Sequence, residues 1–362
     1  MKIGILGSRG IPNHYGGFEQ FAEYLSLGLL KRGAEVCVYN SHTHPYKDAS
    51  WQGINLIHCH DPENRLGAAG HFIYDLNCIN DSRRRNFDIL LQLGYTTNAI
   101  WHRRLPARPK IITNMDGLEW KRSKYSKPVR QFLRYSERLA VKSSHVLVAD
   151  SEAIQDYLLQ KYDVPSTFIP YGAEIYHNTG TGSLHNLGLK PREYFLLVAR
   201  MQPDNHIEEI IRGVITSGSN LPIVVIGSVN NKHGNYLTGK YKSPKVKFTG
   251  GIFDRETLNQ LRYNAKLYFH GHSSGGTNPS LLEAMAASAP VCAHNNVFNR
   301  SVLGDDAFYF STPNDISDHI NRVGDSPHPT PMITNNLEKI QSKYNWDSVI
   351  QAYYQLFEHA LR

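Results

Sequence analysis

Short apolar runs alternate with longer amphipathic stretches along the whole chain. Lys2 to Leu6 has strand length, and Phe18 to Lys31 then sets Phe21, Leu25 and Leu29 at helical spacing before Gly33 closes the segment. Glu35 to Tyr39, Ile54 to His58, Asp88 to Leu93, Lys110 to Thr113 and His145 to Ala149 are further strands. Ala68 to Ile79, Pro128 to Lys142 and Ala153 to Tyr162 read as helices, and Pro165 to Gly172 as a last strand and turn. Asn178 to Asn186 is polar and glycine-rich, the composition of a linker. The alternation then restarts. Strands are expected at Tyr194 to Ala199, Pro222 to Ile226, Val246 to Phe248, Leu267 to Phe269 and Pro290 to Ala293. Helices are expected at Ile207 to Ile215, Arg255 to Asn264 and Pro279 to Ala287, followed by Asn335 to Ser342 and Trp346 to Leu361. Strands alternating with helices imply parallel sheets covered on both faces. The expected fold is α/β, with two tandem Rossmann-like, doubly wound domains facing a cleft. The boundaries expected are 1–172 and 187–335, with 336–362 as C-terminal helices packing back toward the first domain.

Charge narrows the partners. The chain of 362 residues carries a formal net charge of +7, which favours an anionic partner: nucleic acid, a phosphorylated sugar donor or an anionic membrane surface. The four cysteines, Cys37, Cys59, Cys78 and Cys292, form no CxxC pair, so neither a zinc site nor a disulfide framework is indicated, and a reducing cytoplasm fits. The first residues read as a strand, not a signal peptide. No apolar run approaches the roughly 18 residues of a bilayer span, so any membrane contact is expected to be peripheral.

The densest chemistry lies between His270 and Ala287. Gly271, Gly275 and Gly276 open the backbone to a ligand, Asn278 caps a helix, and Pro279 suits its first position. The free N–H groups at such a helix start suit a phosphate. Glu283, one turn further in, can accept from a ribose or sugar diol. Gly16-Gly17 before the first helix is a second, weaker anion cradle. Arg200 follows a strand on the ligand edge, where a guanidinium can fork onto a diphosphate. Asp116 follows another strand end and can orient a hydroxyl or act as a base, with Glu119 nearby. Arg130, Arg134, Arg138 and Lys142 recur every fourth residue as a single-signed basic stripe, led by Lys121, Arg122, Lys124 and Lys127. An anionic surface or lipid phosphate fits it, against the plain reading of a solvated face.

Three patterns point elsewhere. Gly4, Gly7 and Gly10 match a dinucleotide loop, and Tyr157 with Lys161 matches the YxxxK of short-chain dehydrogenases. Together they raise an NAD-dependent nucleotide-sugar epimerase or dehydrogenase. Against it, Pro12 and several polar residues precede the helix, and the second strand leads to Asn40 rather than an acid for the ribose. His42, His44, His58 and His60 hint at a metal, but no carboxylate cluster accompanies them and polar loop histidines are the plainer reading.

Taken together, Gly16-Gly17, Asp116 to Trp120, Ile169 to Gly172, Ala199-Arg200 and the run from Gly275 through Glu283 resemble retaining glycosyltransferase family 4, nearest its bacterial rhamnosyltransferase-like branch. The resemblance covers nearly the whole chain. It implies the two-domain GT-B fold, metal independence, no cofactor, a nucleotide-sugar donor held mainly by the second half and no nucleic acid partner. Carried over, Gly16, Gly17, Arg200, Gly275, Gly276, Thr277, Asn278, Pro279, Ser280 and Glu283 are donor-binding, with Asp116, Arg200 and Glu283 catalytic. Two positions depart from the family pattern: Gly275 stands where a Glu usually contacts the donor sugar, and Asn205 where a Lys usually contacts the diphosphate. The branch shares the first departure, which favours L-rhamnose from dTDP-rhamnose. The acceptor implied is a glycan, lipid-linked at the inner membrane face, in cell-surface polysaccharide synthesis. A front-side mechanism without a covalent intermediate is implied, with domain closure excluding water. A catalytically weak nucleotide-sugar-binding protein on the same fold stays as a further alternative.

Overall fold

The computed structural model describes residues 1–178, 180–323 and 330–362. The chain divides into two compact units, one of residues 1–121, 125–171 and 346–362, the other of 122–124 and 172–345.

In the first unit the order is β1 (Lys2–Leu6), α1 (Gly17–Lys31), β2 (Glu35–Ser41), β3 (Ser50–Trp51), β4 (Ile54–Cys59), α2 (Glu63–Leu66), α3 (Gly70–Ser82), β5 (Ile89–Leu93), β6 (Lys110–Asn114), α4 (Lys127–Ser143), β7 (Val146–Ala149), α5 (Glu152–Tyr162) and β8 (Thr167–Phe168). Its sheet runs β3-β4-β2-β1-β5-β6-β7-β8 and is parallel except for the antiparallel edge pair β3–β4. β1 and β5 are almost wholly buried, as strands covered on both faces must be, and pair Ile3 with Ile89 through Leu6 with Gln92.

The second unit continues with α6 (Gly182–Asn186), β9 (Phe195–Val198), α7 (Ile207–Thr216), β10 (Ile223–Ile226), α8 (Lys232–Lys240), β11 (Val246–Gly250), α9 (Arg255–Tyr263), β12 (Leu267–His270), α10 (Pro279–Ala286), β13 (Val291–His294), α11 (Val297–Leu303), β14 (Phe308–Phe310), α12 (Pro313–Val323) and α13 (Thr330–Ser342). Its sheet is parallel in the order β11-β10-β9-β12-β13-β14. Phe195, Leu197, Val225, Leu267 and Phe269 fill the core between that sheet and its helices.

The stretch expected as a linker is packed. Leu184 of α6 is fully buried, Asn178 Nδ2 donates to Glu256 and Ser183 N donates to Gln260. Thr179 of that stretch, and 324–329 within the expected 187–335 domain, lie outside the described residues. The two C-terminal helices part company. α13 belongs to the second unit, whereas α14 (Trp346–Leu361) belongs to the first, where Trp346 stacks flat on Tyr24 of α1 at 4.4 Å.

Candidate functional site

Ligands of open parallel sheets bind beyond the carboxyl ends of the strands, where the strand order reverses. In the second unit that point lies between β9 and β12: from β9 the chain winds outward through β10 and β11, then returns to lay β12 on the other side. The loops after β9 and β12 therefore flank it. Arg200 lies on the first, exposed, two residues past Val198. The second holds Gly271 to Asn278.

The two loops are stapled together. Ser273 N and Oγ both donate to Asp204 O, at 3.2 and 2.9 Å. Asn205 is buried and its Nδ2 donates to Arg200 O at 2.7 Å. The side chain at the departure from the family pattern is thus spent shaping the Arg200 loop. A Cβ on Gly271 would stand 1.9 Å from Asn205 O, so only glycine permits this approach.

α10 starts as its sequence dictates. Asn278 Oδ1 accepts from Ser280 N at 3.0 Å and Pro279 occupies the first turn. Leu281, Leu282, Met285 and Ala286 are buried, and because α10 opens directly from the Gly271–Asn278 loop, its free N–H end lies at that loop. Gly275 has φ +135, and no atom lies within 4 Å of where its Cβ would stand. Gly276 is half-buried and Thr277 buried. Glu283 is held by a partner that the sequence reading missed. Arg262 of α9, 2% exposed, donates to Glu283 Oε2 at 2.5 Å. The pair is 21 residues apart, and no local pattern announces it.

A group of four histidines borders this edge. His270 and His272 stack at 4.5 Å, and His206 and His294 at 4.0 Å. His270 is fully buried, and neither ring nitrogen has a hydrogen-bond partner among the described residues. Burial, with His294 adding to it, pushes its pKa down to about 3. Burial and then His206 bring His294 down to about 4. Burial and then His270 hold His272 well below the usual value.

In the first unit the strand order reverses between β1 and β5. The loop after β1 is tied down by the chain's own acids and amides. Arg9 N donates to Glu19, Asn13 N to Glu23, and the buried Asn40 pairs both amide atoms with Ile11. Gly16 is the N-cap of α1, without a side-chain cap, and Gly17 its first residue. The buried Glu19 carboxylate sits in that first turn, 3.3 Å from where a Gly16 Cβ would stand, and opposes an anion there. Asp116, two residues past β6, has φ +49, a left-handed conformation that costs most residues about 1–2 kcal/mol. Asn114 Oδ1 steadies it by accepting from Asp116 N at 2.9 Å. Glu119 accepts from Tyr125 OH.

The patterns that pointed to NAD find other employment. Ten residues separate β1 from α1, so no helix opens directly on the Gly4–Gly10 loop. Tyr157 OH and Lys161 Nζ both bond Glu137, which is 1% exposed and also accepts from Tyr162 OH, Trp120 Nε1 and Tyr95 OH. Burial and that carboxylate push the Tyr157 and Tyr162 phenols up. Of the loop histidines, His44 bonds Pro12 O and Tyr46, His42 accepts from Asp61 N, and His58 bonds Asp48 O.

On α4, Leu133, Ser136, Glu137 and Ala140 are buried, and Phe132 meets Phe72 of α3 at 5.6 Å. Val129, in the first turn and ahead of that buried stripe, is 39% exposed. The basic stripe is not uniform. Arg130 is half-buried, Arg134 lies 4.3 Å over the Trp120 ring, and Arg138 and Lys142 are exposed. Among the described residues no helix is long and apolar enough to cross a membrane.

Residues 186–339 match the family model described as glycosyl transferases group 1, and residues 1–174 match a domain of unknown function, DUF1972. No curated protein matches the sequence. Sucrose-phosphate synthase from Thermosynechococcus elongatus is similar in structure at TM-score 0.81 and 16% identity, over 99% of this chain and 98% of that one. HepE of Anabaena, in complex with UDP and glucose, is similar at 0.76 and 15%, over 99% of each chain. WaaG, a glycosyltransferase involved in lipopolysaccharide biosynthesis, is similar at 0.70 and 14%, again over 99% of each. At these identities the likeness establishes the fold: two parallel-sheet α/β domains of the GT-B type. The group 1 domain and that fold support a glycosyltransferase.

Proposed function

We propose that the chain is a retaining glycosyltransferase that takes its sugar from a nucleoside diphosphate held by the second unit. The observation that carries this is the placement of Arg200 and the capped N-terminus of α10 on the two loops that flank the strand-order reversal, loops joined through Ser273 and Asp204. A guanidinium and a helix N-terminus stabilise the charge that grows on a leaving diphosphate. The domain 186–339 and the UDP complex of a structural neighbour support the same donor class.

In this reading the bond from the anomeric carbon to the phosphate oxygen breaks and the acceptor oxygen bonds to the same face of the sugar. The acceptor hydroxyl proton passes to the departing diphosphate oxygen. Arg200 and the backbone from Thr277 to Ser280 bind the diphosphate, Glu283 the ribose, and Gly275 and Gly276 leave room for the sugar. Asp116 is assigned to the acceptor hydroxyl, and Gly16-Gly17 to the loop that admits it. The donor is dTDP-L-rhamnose, used without a metal. The acceptor is a lipid-linked glycan of surface polysaccharide synthesis, at the inner membrane face. Arg138 and Lys142, with Arg134 and Arg130, supply the contact to anionic lipid. The test is a transfer assay with dTDP-rhamnose and a rhamnose-accepting lipid-linked glycan in the presence of a chelator. Product with the donor's anomeric configuration supports the reading; turnover that requires metal or inverts the sugar contradicts it.

A further inference from the structure

We infer that Asn296 and Asn299 are positioning residues that hold the Gly271–Asn278 loop from the side of β13, an inference that rests on the nucleotide-donor reading above. The ladder between β12 and β13 ends at His270 and Ala293. Beyond it, the carbonyls of His272 and His294 find their donors in side chains. Asn299 Nδ2 donates to His272 O at 3.1 Å and to His294 O at 2.8 Å. Asn296 Nδ2 lies 3.0 Å from His272 O and 3.1 Å from His294 O. Two amides thus bridge the same two carbonyls and carry the pairing of the strands on into the loops. One amide would satisfy both carbonyls, so the second is not needed for hydrogen-bond bookkeeping.

The amides are not free to turn. Asn296 Oδ1 accepts from Phe298 N and Asn299 N as the cap of α11, which leaves its Nδ2 for the carbonyls. Asn299 is 4% exposed, and the groups that its Nδ2 meets are both acceptors.

The loop is anchored at two successive residues. His272 is fastened to α11, and Ser273 to Asp204 on the loop of Arg200. The tip that follows is held less. Ser274 Oγ has no hydrogen-bond partner among the described residues, and open space lies where a Gly275 Cβ would stand. The next anchor is the Asn278 cap. The clamp therefore sets where the tip leaves the sheet and where α10 begins. It bears on the Arg200 loop too, because the His294 ring stacks at 4.0 Å on His206, the neighbour of Asn205. A loop that spends only part of its time in the binding arrangement lowers apparent affinity in that proportion, so the asparagines act on donor affinity through the loop.

The test uses Asn296→Ser, Asn299→Ala and the double variant in the full chain. Serine keeps a cap and alanine favours the helix, while each change removes one amide from both carbonyls. Melting temperature, hydrogen exchange and calorimetric titration with dTDP, UDP and GDP are measured together. Both single variants are expected to melt near the parent and to exchange faster within 271–278, where Ser273 N–H reports its bond to Asp204 O. Each is expected to bind the preferred nucleoside diphosphate roughly 5-fold more weakly, and the double variant roughly 30-fold. Unchanged exchange within 271–278 overturns the clamp. Faster exchange with parental affinity overturns the positioning role, as does a loss of affinity that only follows a general fall in melting temperature. In each of these cases the donor reading stands. A parent that binds none of the three overturns the donor reading, and this inference falls with it.

Discussion

Arg262 donates to Glu283 at 2.5 Å from a side chain only 2% exposed, so the carboxylate assigned to the ribose is oriented from beneath by a buried guanidinium. Removing the cation leaves Glu283, about a quarter exposed, without its main counter-charge. Breaking a buried pair costs roughly 3–5 kcal/mol, and partial hydration of Glu283 lowers that here. Arg262→Met is expected to lose roughly 2–3 kcal/mol in denaturant unfolding. Arg262→Met with Glu283→Gln should recover part of the loss, and equal stability of single and double variants would contradict the coupling.

Glu137 gathers five donors and so fastens α5 and Trp120 to α4. Glu137→Ala strands Lys161 and three phenols and should cost about 3 kcal/mol in chemical denaturation. Tyr157→Phe removes one of those bonds and should cost about 1 kcal/mol while leaving sugar transfer intact. Loss of turnover in Tyr157→Phe at full stability would return Tyr157 to catalysis.

The buried histidines make stability depend on pH in a stated direction. The His270 pKa is pushed down to about 3 and that of His294 to about 4, against about 6.5 in the unfolded chain. Below pH 6.5 the unfolded chain takes up protons that the folded one refuses, so stability falls from 6.5 toward 4 and is unaffected above. Asp75 works the other way: burial raises it to about 7, so its contribution falls as pH rises from about 4 to 7. His270→Phe removes two unpartnered ring nitrogens and is expected to be no less stable than the parent at pH 7. Between pH 7 and 5 it should lose roughly 2 kcal/mol less than the parent. Parallel pH curves would contradict the buried, neutral state of His270.

Arg138 and Lys142 are the exposed members of the basic stripe that stack on no ring among the described residues, whereas Arg134 lies over Trp120 and Arg130 is half-buried. Charge near an anionic bilayer is worth about 1 kcal/mol per residue. Arg138→Gln with Lys142→Gln should bind phosphatidylglycerol-containing vesicles roughly 30-fold more weakly in flotation at low salt. Unchanged flotation would remove this helix from any membrane contact.

Local signals proved readable and distant ones did not. The Asn278 cap, Pro279 and the apolar spacing of α10 lie within nine residues, and the structure follows them. Strands β1, β2, β4 to β7 and β9 to β13 stand within a residue or two of their expected ends, whereas the short edge strands β3 and β14 were not expected, having too few residues to set a pattern. By contrast, α8 carries two glycines and one leucine, too little pattern to declare a helix. α12 does carry Ile316, Ile320 and Val323 at helical spacing, a signal that was there to be used. The polar, glycine-rich surroundings of Leu184 concealed its burial. Tyr157 and Lys161 share a helix face by periodicity alone; that both turn to Glu137, 20 and 24 residues away, is decided by tertiary packing.

The most direct test of the central claim is calorimetric titration of the parent and Arg200→Ala with dTDP, UDP, GDP and NAD, without metal. The account predicts that the parent binds a nucleoside diphosphate, dTDP best, and that Arg200→Ala weakens it by roughly 2–5 kcal/mol as loss of a charged contact does. Equal binding by Arg200→Ala, or binding of NAD alone, would contradict it.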